Sequence, residues 1–326
     1  MRALTTERRE LIDALVAEAD IGNISAGLLE KDEHLTAALQ AVFGLRFEHA
    51  TLVFCGGTSL SKAHGLIERM SEDADIKVVL SSTAANWSNN QLRRYLGDEV
   101  RDQVVNSLTA IGLVEDENAR RSLNDNQYLH SQWTYQRTYD GIAALRPNLQ
   151  LELTTRLPVI PIETASLCTL TDKLAGHASN IFSAPIVSIS ETLAEKVLSF
   201  LRRFAQNRAG LMQQPWDTAL VRHIYDVHCI VSQRPTAIHN AISAFSELTA
   251  LDASEFGYQD AAFQEDPKST LIDALHRLST DQQSRDEYQH VLLPLIYGKS
   301  SFSYDEALGS FNHTAQQLIG ALQVSK

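Results

Sequence analysis

The sequence predicts a mixed α/β protein, with a sheet-forming N-terminal part and a helical C-terminal part. Three observations carry this. An apolar, β-prone run from Thr51 to Cys55 passes through a glycine pair and a short helix-like piece into a second strand-like run at 74–80. Two later runs, 126–139 and 148–155, are strand-like, and in the second polar and apolar residues alternate with the two-residue period of a half-buried strand. From about residue 188 onward the apolar residues recur at helical spacing.

Residues 5–45 read as helices, with Lys31-Asp32 standing before the periodic run LTAALQAVFGL. SSTAANWSNN is polar and turn-rich, and QLRRYLGDEVRDQVVNSLTAIGL reads as one long helix. Asp140-Gly141 is the turn signal between the two later strands. LPVIPIETASL carries two prolines and is expected to lead out of the sheet. Helices are expected near 189–208, 216–232, 236–249, 270–278, 283–297 and 304–323. A division near residue 165 gives a core of residues 1–165 and a helical domain of residues 166–326.

Bulk properties narrow the function. A chain of 326 residues can hold two domains, and 44% hydrophobic with 21% charged residues is a globular composition. No apolar run approaches a membrane span, and MRALTTERRELIDALVAEAD lacks the apolar stretch of a signal peptide. Cys55, Cys168 and Cys229 are isolated, which suggests neither a disulfide framework nor a zinc site. A cytoplasmic setting without membrane attachment is expected. The net charge of −12 argues against broad nucleic-acid binding and leaves a local basic groove open.

The chemistry concentrates in TLVFCGGTSLSKAHGLIERMSEDADIKVV. Alternation puts Asp73 and Asp75 on one face of a strand, about 7 Å apart, where they can share Mg²⁺, a hard cation that takes oxygen ligands. Gly56-Gly57 lets backbone N–H groups approach a phosphate, and Thr58 or Ser59 can add a hydroxyl. This is what transfer from a Mg-bound nucleoside triphosphate requires. Lys62, Arg69 and Lys77 are phosphate contacts or charge compensation for the carboxylates. In NLQLELT, Glu152 shares a face with Gln150 and Thr154, either as a third carboxylate or as an ordinary polar strand face.

Two later helices carry charge beside an apolar stripe. In SISETLAEKVLSFLRRFAQNR, Ser188 and Glu191 fit a capping box, and Leu193, Val197, Phe200, Leu201 and Phe204 form the stripe. Lys196 and Arg203 sit on its shoulder. Periodicity alone favours a solvated basic flank over a triphosphate contact. In WDTALVRHIYDVHCI, Arg222 and Asp226 are an i,i+4 pair, which pattern alone reads as a surface ion pair.

FCGGTSLSKAHGLIERMSEDADIKV resembles the first motif of the AbiEii/AbiGii-type nucleotidyltransferase toxins, which include the MenT toxins. LQLELTTR is similar to that family's acidic strand, ETLAEKVLSFLRR to its lysine helix and RHIYDVH to its later acidic motif, and Lys31-Asp32 also fits. The resemblance implies a polymerase-β-like nucleotidyltransferase core with a mixed sheet and a helical C-terminal domain. It implies Mg²⁺ and a nucleoside triphosphate, with Asp73 and Asp75 on metal, Lys196 on the nucleotide, Asp226 as a catalytic carboxylate, and Thr58 and Ser59 on phosphate. It implies a tRNA 3′ end as acceptor and a cognate antitoxin as partner. Ser71, two residues before Asp73, becomes a candidate for regulatory phosphorylation. His223 stands where the family pattern has aspartate, which puts a secondary acidic contact in doubt. Transfer to a protein or a small molecule such as an aminoglycoside is the alternative, as is a nucleotide-binding module without catalysis.

Overall fold

Alternation of side chains is what turns the predicted strands into one sheet. The computed structural model describes residues 1–18, 24–141, 145–177, 181–298 and 302–323. Its strands are β1 (Ala50–Cys55), β2 (Asp73–Leu80), β3 (Val114–Glu115), β4 (Arg121–Leu123), β5 (Tyr128–Thr134), β6 (Leu149–Thr154), β7 (Glu163–Leu167) and β8 (Phe182–Ile186). They are ordered β3-β5-β6-β2-β1-β8-β7, with β4 paired to β5. The sheet is mixed, as expected: β2 runs antiparallel to β1 and parallel to β6, and β1 runs parallel to β8.

One face of the sheet is apolar and closed. Phe54, Ala74, Ile76, Leu151, Leu153, Leu129 and Trp133 are buried in a single cluster. Helix α1 spans Thr6–Ala17, and α2 (Ala26–Phe43) covers the cluster with Leu35, Leu39 and Val42. A short α3 (Gly56–Lys62) follows β1. The expected long helix is a continuous helical run of α4 (Asn89–Arg94), a π-helical turn (Tyr95–Arg101) and α5 (Asp102–Ala110), and it adds Leu96, Val100, Val104 and Leu108 to the cluster. At about 1.5–3 kcal/mol for each large apolar side chain buried, this face anchors the sheet.

Two expectations are corrected. The segment containing LPVIPIETASL does not leave the sheet: Glu163–Leu167 forms β7, an antiparallel hairpin with β8, beside α6 (Leu170–Leu174). Pro185 lies within β8, opposite Thr164 of β7, while the register of β8 with β1 is at Phe54↔Ile186. Lys31-Asp32 does not precede a helix either. Ser25 accepts a hydrogen bond from the Leu28 N–H and caps α2 six residues before Lys31, so both residues lie within the helix.

Five consecutive polar residues of α2, Glu30 to His34, are buried. Helical periodicity expects some of them in water. Each instead meets a different neighbour. Glu30 accepts the N–H groups of Thr138 and Tyr139, Lys31 pairs with Glu72, Asp32 with Lys62, and Glu33 with Arg8. His34 stacks on Tyr135 with ring centroids 4.1 Å apart, and neither ring nitrogen has a hydrogen-bond partner among the described residues. Burial, helped by Arg2, pushes its pKa down to about 3. The unfolded chain therefore takes up a proton below pH of about 6.5 that the folded chain refuses until about 3. Stability should fall with pH through that window, by about 1.4 kcal/mol per unit from this residue. His34→Phe should flatten the slope between pH 6.5 and 4 relative to wild type, read by urea unfolding. Identical slopes would remove His34 from the acid limb.

The chain divides into two compact units, Met1–Pro158 with Ile162–Val187 and Tyr297–Lys299, and Val159–Pro161 with Ser188–Ile296 and Ser300–Lys326. The second unit is helical: α7 (Ile189–Arg208), α8 (Arg222–Gln233), α9 (Ala237–Phe256), α10 (Ala261–Glu265), α11 (Pro267–Leu278), α12 (Gln282–Glu287) and α13 (Tyr304–Gly320). Helix α7 packs against α8, α9 and α11. The stripe Leu193, Val197, Phe200, Leu201 and Phe204 is buried, as its period predicts. Ser188 caps α7 through the Glu191 N–H, while the Glu191 carboxylate accepts the backbone N–H groups of Val159 and Ile160. Among the described residues no helix is long and apolar enough to cross a membrane.

Candidate active site

The face of the sheet opposite the apolar cluster carries the acidic side chains. On β2, Asp73, Asp75 and Lys77 alternate with buried Ala74, Ile76 and Val78. Parallel register sets Asp73 opposite Gln150 and Asp75 opposite Glu152. Paired residues share a face, so Asp73, Asp75 and Glu152 come together on adjacent strands. Across β6, His130 of β5 stands opposite Glu152 and Tyr128 opposite Thr154. Tyr128 and Glu152 therefore share a face of the paired strands. Burial first, then the charges of Glu152 and Asp75, push the Tyr128 pKa well above the ordinary tyrosine range, so Tyr128 is held as a neutral donor.

The turn from β1 into α3 closes onto the same carboxylates. Cys55 is in register with Asp75, and Gly56 follows at φ +73°. A Cβ on Gly56 would lie 1.9 Å from Asp75 Oδ2. The position needs glycine twice, for its left-handed backbone and for the space beside Asp75. Gly56→Ala should destabilise the fold by about 1–2 kcal/mol through the backbone. It should cost transfer activity more than that, because the methyl displaces the Asp75 carboxylate. Activity that falls no further than stability would limit Gly56 to a turn residue.

Two of the hydroxyls beside this turn, Thr58 and Ser71, are engaged within the protein. Thr58 and Ser59 are buried, and Ser71 is half-buried. Thr58 Oγ1 bonds the Asp73 carbonyl and lies 2.9 Å from Ser71 Oγ. A carbonyl can only accept, so Thr58 donates to it and Ser71 donates to Thr58. These two hydroxyls thus tie α3 to the start of β2. Ser59 Oγ is buried and has no hydrogen-bond partner among the described residues. Lys62 does not join the acidic face. Its ammonium is 2.6 Å from Asp32 Oδ1 and 2.6 Å from Thr36 Oγ1.

In the helical unit, the surface readings of Lys196 and Asp226 are overturned. Lys196 Nζ lies 2.7 Å from Asp226 Oδ2, with side-chain exposures of 7% and 0%. Periodicity places a residue on a helix shoulder but says nothing about which helix covers that shoulder. Arg222 is likewise buried. His223, where the family pattern has aspartate, lies 3.2 Å through Nδ1 from the Lys196 carbonyl. Burial, followed by the Lys196 ammonium, holds its pKa well below the ordinary histidine value. A neutral ring with Nδ1 protonated donates to that carbonyl and ties α8 to α7 at Lys196.

Sequence reasoning missed Tyr128, Glu72 and Arg146. The Lys31–Glu72 pair is almost wholly buried, at 2.6 Å, and burial pulls the Lys31 pKa down despite Glu72. Arg146 Nη1 is 2.9 Å from Asp73 Oδ1. No periodicity marks a loop arginine that reaches a strand seventy residues away. Tyr128 was legible as a strand residue, but its partner depends on strand register.

Among the described residues no group of three or more His, Cys, Asp or Glu side chains is gathered to hold a metal ion. Asp73 and Asp75 nevertheless suit a hard cation. Both are half-buried carboxylates on one face, and the glycine beside Asp75 leaves that oxygen room a side chain would fill.

The chain thus joins a mixed sheet that carries two alternate carboxylates after a glycine turn to a helical unit. Residues 37–310 match the family model described as "Nucleotidyl transferase AbiEii toxin, Type IV TA system". The chain belongs to this family of nucleotidyltransferases. A toxin of such a system has an antitoxin as its partner. Among solved structures the chain is similar to MenT4, a nucleotidyltransferase toxin from Mycobacterium tuberculosis, at 15% identity and a TM-score of 0.54. That alignment covers 97% of this chain and 90% of MenT4, a likeness of fold. No curated protein sequence matches the chain.

Proposed function

We propose that this toxin transfers a nucleotide from a Mg-bound nucleoside triphosphate to the 3′ end of tRNA in the cytoplasm. The observation that supports it most is the register that puts Asp73, Asp75 and Glu152 on one face of β2 and β6, beside the Gly56 turn. Asp73 and Asp75 would hold Mg²⁺, which supplies charge neutralisation for the triphosphate. Glu152, on the same strand face as Tyr128, takes the proton of the attacking hydroxyl. The hydroxyl oxygen bonds the α-phosphorus, and pyrophosphate leaves. Gly56, Gly57, Thr58 and Ser59 line the phosphate side, Thr58 and Ser59 from beneath the turn. Lys196, whose ammonium is held by Asp226, is the candidate nucleotide contact of the helical unit. Ser71 is the regulatory position: a phosphate there adds about −1.5 to −2 charge and breaks its hydrogen bond to Thr58.

The acceptor is tested by incubating the protein with labelled nucleoside triphosphates and either total tRNA, a protein mixture or aminoglycosides. Label should enter tRNA, and periodate oxidation of the tRNA 3′ diol should abolish it. Label in protein or in an aminoglycoside alone would move the acceptor to that class. Triphosphate binding without label in any of them would favour a binding module.

A further inference from the structure

We propose that Arg146 is the resident counter-ion of Asp73, competing with a divalent cation for that carboxylate. This rests on the assignment of Asp73 to the metal. The arrangement is built from beneath. Lys31 and Glu72 form a buried ion pair, and together they fix both backbone polar groups of Arg146. Lys31 Nζ donates to the Arg146 carbonyl at 2.7 Å, and the Arg146 N–H donates to Glu72 Oε1 at 2.6 Å. With its backbone clamped, Arg146 extends its guanidinium over the start of β2 and β6. Nη1 lies 2.9 Å from Asp73 Oδ1 and 2.5 Å from Gln150 Oε1, the two residues that face each other in the parallel register.

The position has a chemical consequence. Glu72 and Asp73 are consecutive, yet they meet different cations. Glu72 is sealed by Lys31, whereas Asp73 is half-buried and its arginine partner is 38% exposed on the side chain. A buried pair is fixed, because separating it strands a charge. A half-exposed guanidinium can swing into water at little cost. Arg146 therefore supplies positive charge to the carboxylate face when no cation is bound, and yields Asp73 when one arrives. A cation that binds must displace or tolerate this charge, so Arg146 lowers cation affinity in the absence of nucleotide. Once released, the planar guanidinium is suited to phosphate oxygens. The face would thus accept the cation chiefly together with its triphosphate.

Direct Mn²⁺ binding to the full-length protein without nucleotide, read by calorimetry, tests this. Arg146→Met should tighten Mn²⁺ binding by about tenfold, the order expected for removing one unit charge several ångström from a divalent cation in a solvated site. Arg146→Lys, which keeps the charge, should stay within about twofold of wild type. Loss of a merely structural residue would weaken binding, not tighten it. Arg146→Gln serves in place of Arg146→Met if that protein does not fold, with the same expected direction. Equal or weaker binding in the neutral variant, or no binding in either protein, would overturn the proposal. Transfer activity is scored separately. Unchanged Mn²⁺ affinity with transfer present removes the counter-ion role alone, and tightened affinity with transfer absent removes the transferase reading alone.

Discussion

Asp75→Ala is expected to lower nucleotidyl transfer by about a thousandfold or more, a loss of about 4 kcal/mol in transition-state stabilisation. Asp73→Ala should do the same. Both side chains are half-buried on the polar face of β2, and the neighbours that hold the strand, Ala74 and Ile76, are untouched. The melting temperature should therefore move little, by about 2 °C or less for such a chain. Asp75 is the more informative of the two, because Gly56 gives up a side chain to make room beside its carboxylate. Turnover near wild type in either purified variant, with Mg²⁺ present, would place the chemistry elsewhere.

Asp226→Ala is expected to be the most destabilising substitution among the charged candidates. Asp226 is fully buried and Lys196 nearly so, at 2.7 Å. Truncation leaves the ammonium in a dry site without this carboxylate, which typically costs about 3–5 kcal/mol. A surface i,i+4 pair would cost about 0.5 kcal/mol or less. The double variant Lys196→Met with Asp226→Leu should recover much of the lost stability, since the Lys196 ammonium is then removed together with its carboxylate, and should remain inactive. Denaturant unfolding of the single and double variants separates the possibilities. A single-variant loss below about 1 kcal/mol would return the pair to a solvated flank.

How much was legible depended on how local the signal was. Asp73 and Asp75 share a face by strand alternation, and Gly56-Gly57 marks its own turn, so the heart of the site could be read along the chain. Glu152 was legible as a polar strand residue, but its place opposite Asp75 comes from the β2–β6 register, which links segments seventy-seven residues apart in number. Lys196 and Asp226 were misread because a helix period shows which residues share a face and not whether another helix covers it. The buried run Glu30 to His34 hid for a related reason: five polar residues in succession look like a solvated helix start, and their partners Arg8, Lys62 and Glu72 are distant in sequence. Strand β7 was lost to Pro158 and Pro161, which stand just before it and outside its ladder with β8.

The central claim is that the carboxylate face of β2 performs nucleotidyl transfer. One measurement meets it most directly: single-turnover reaction of the protein with Mg²⁺, tRNA and nucleoside triphosphate labelled at either the α- or the γ-phosphate. Label from the α-phosphate should appear in the acceptor, and label from the γ-phosphate solely in released pyrophosphate, with both signals absent in Asp75→Ala. Gamma label in the acceptor, or α label incorporated equally by Asp75→Ala, would show that this face does not perform nucleotidyl transfer.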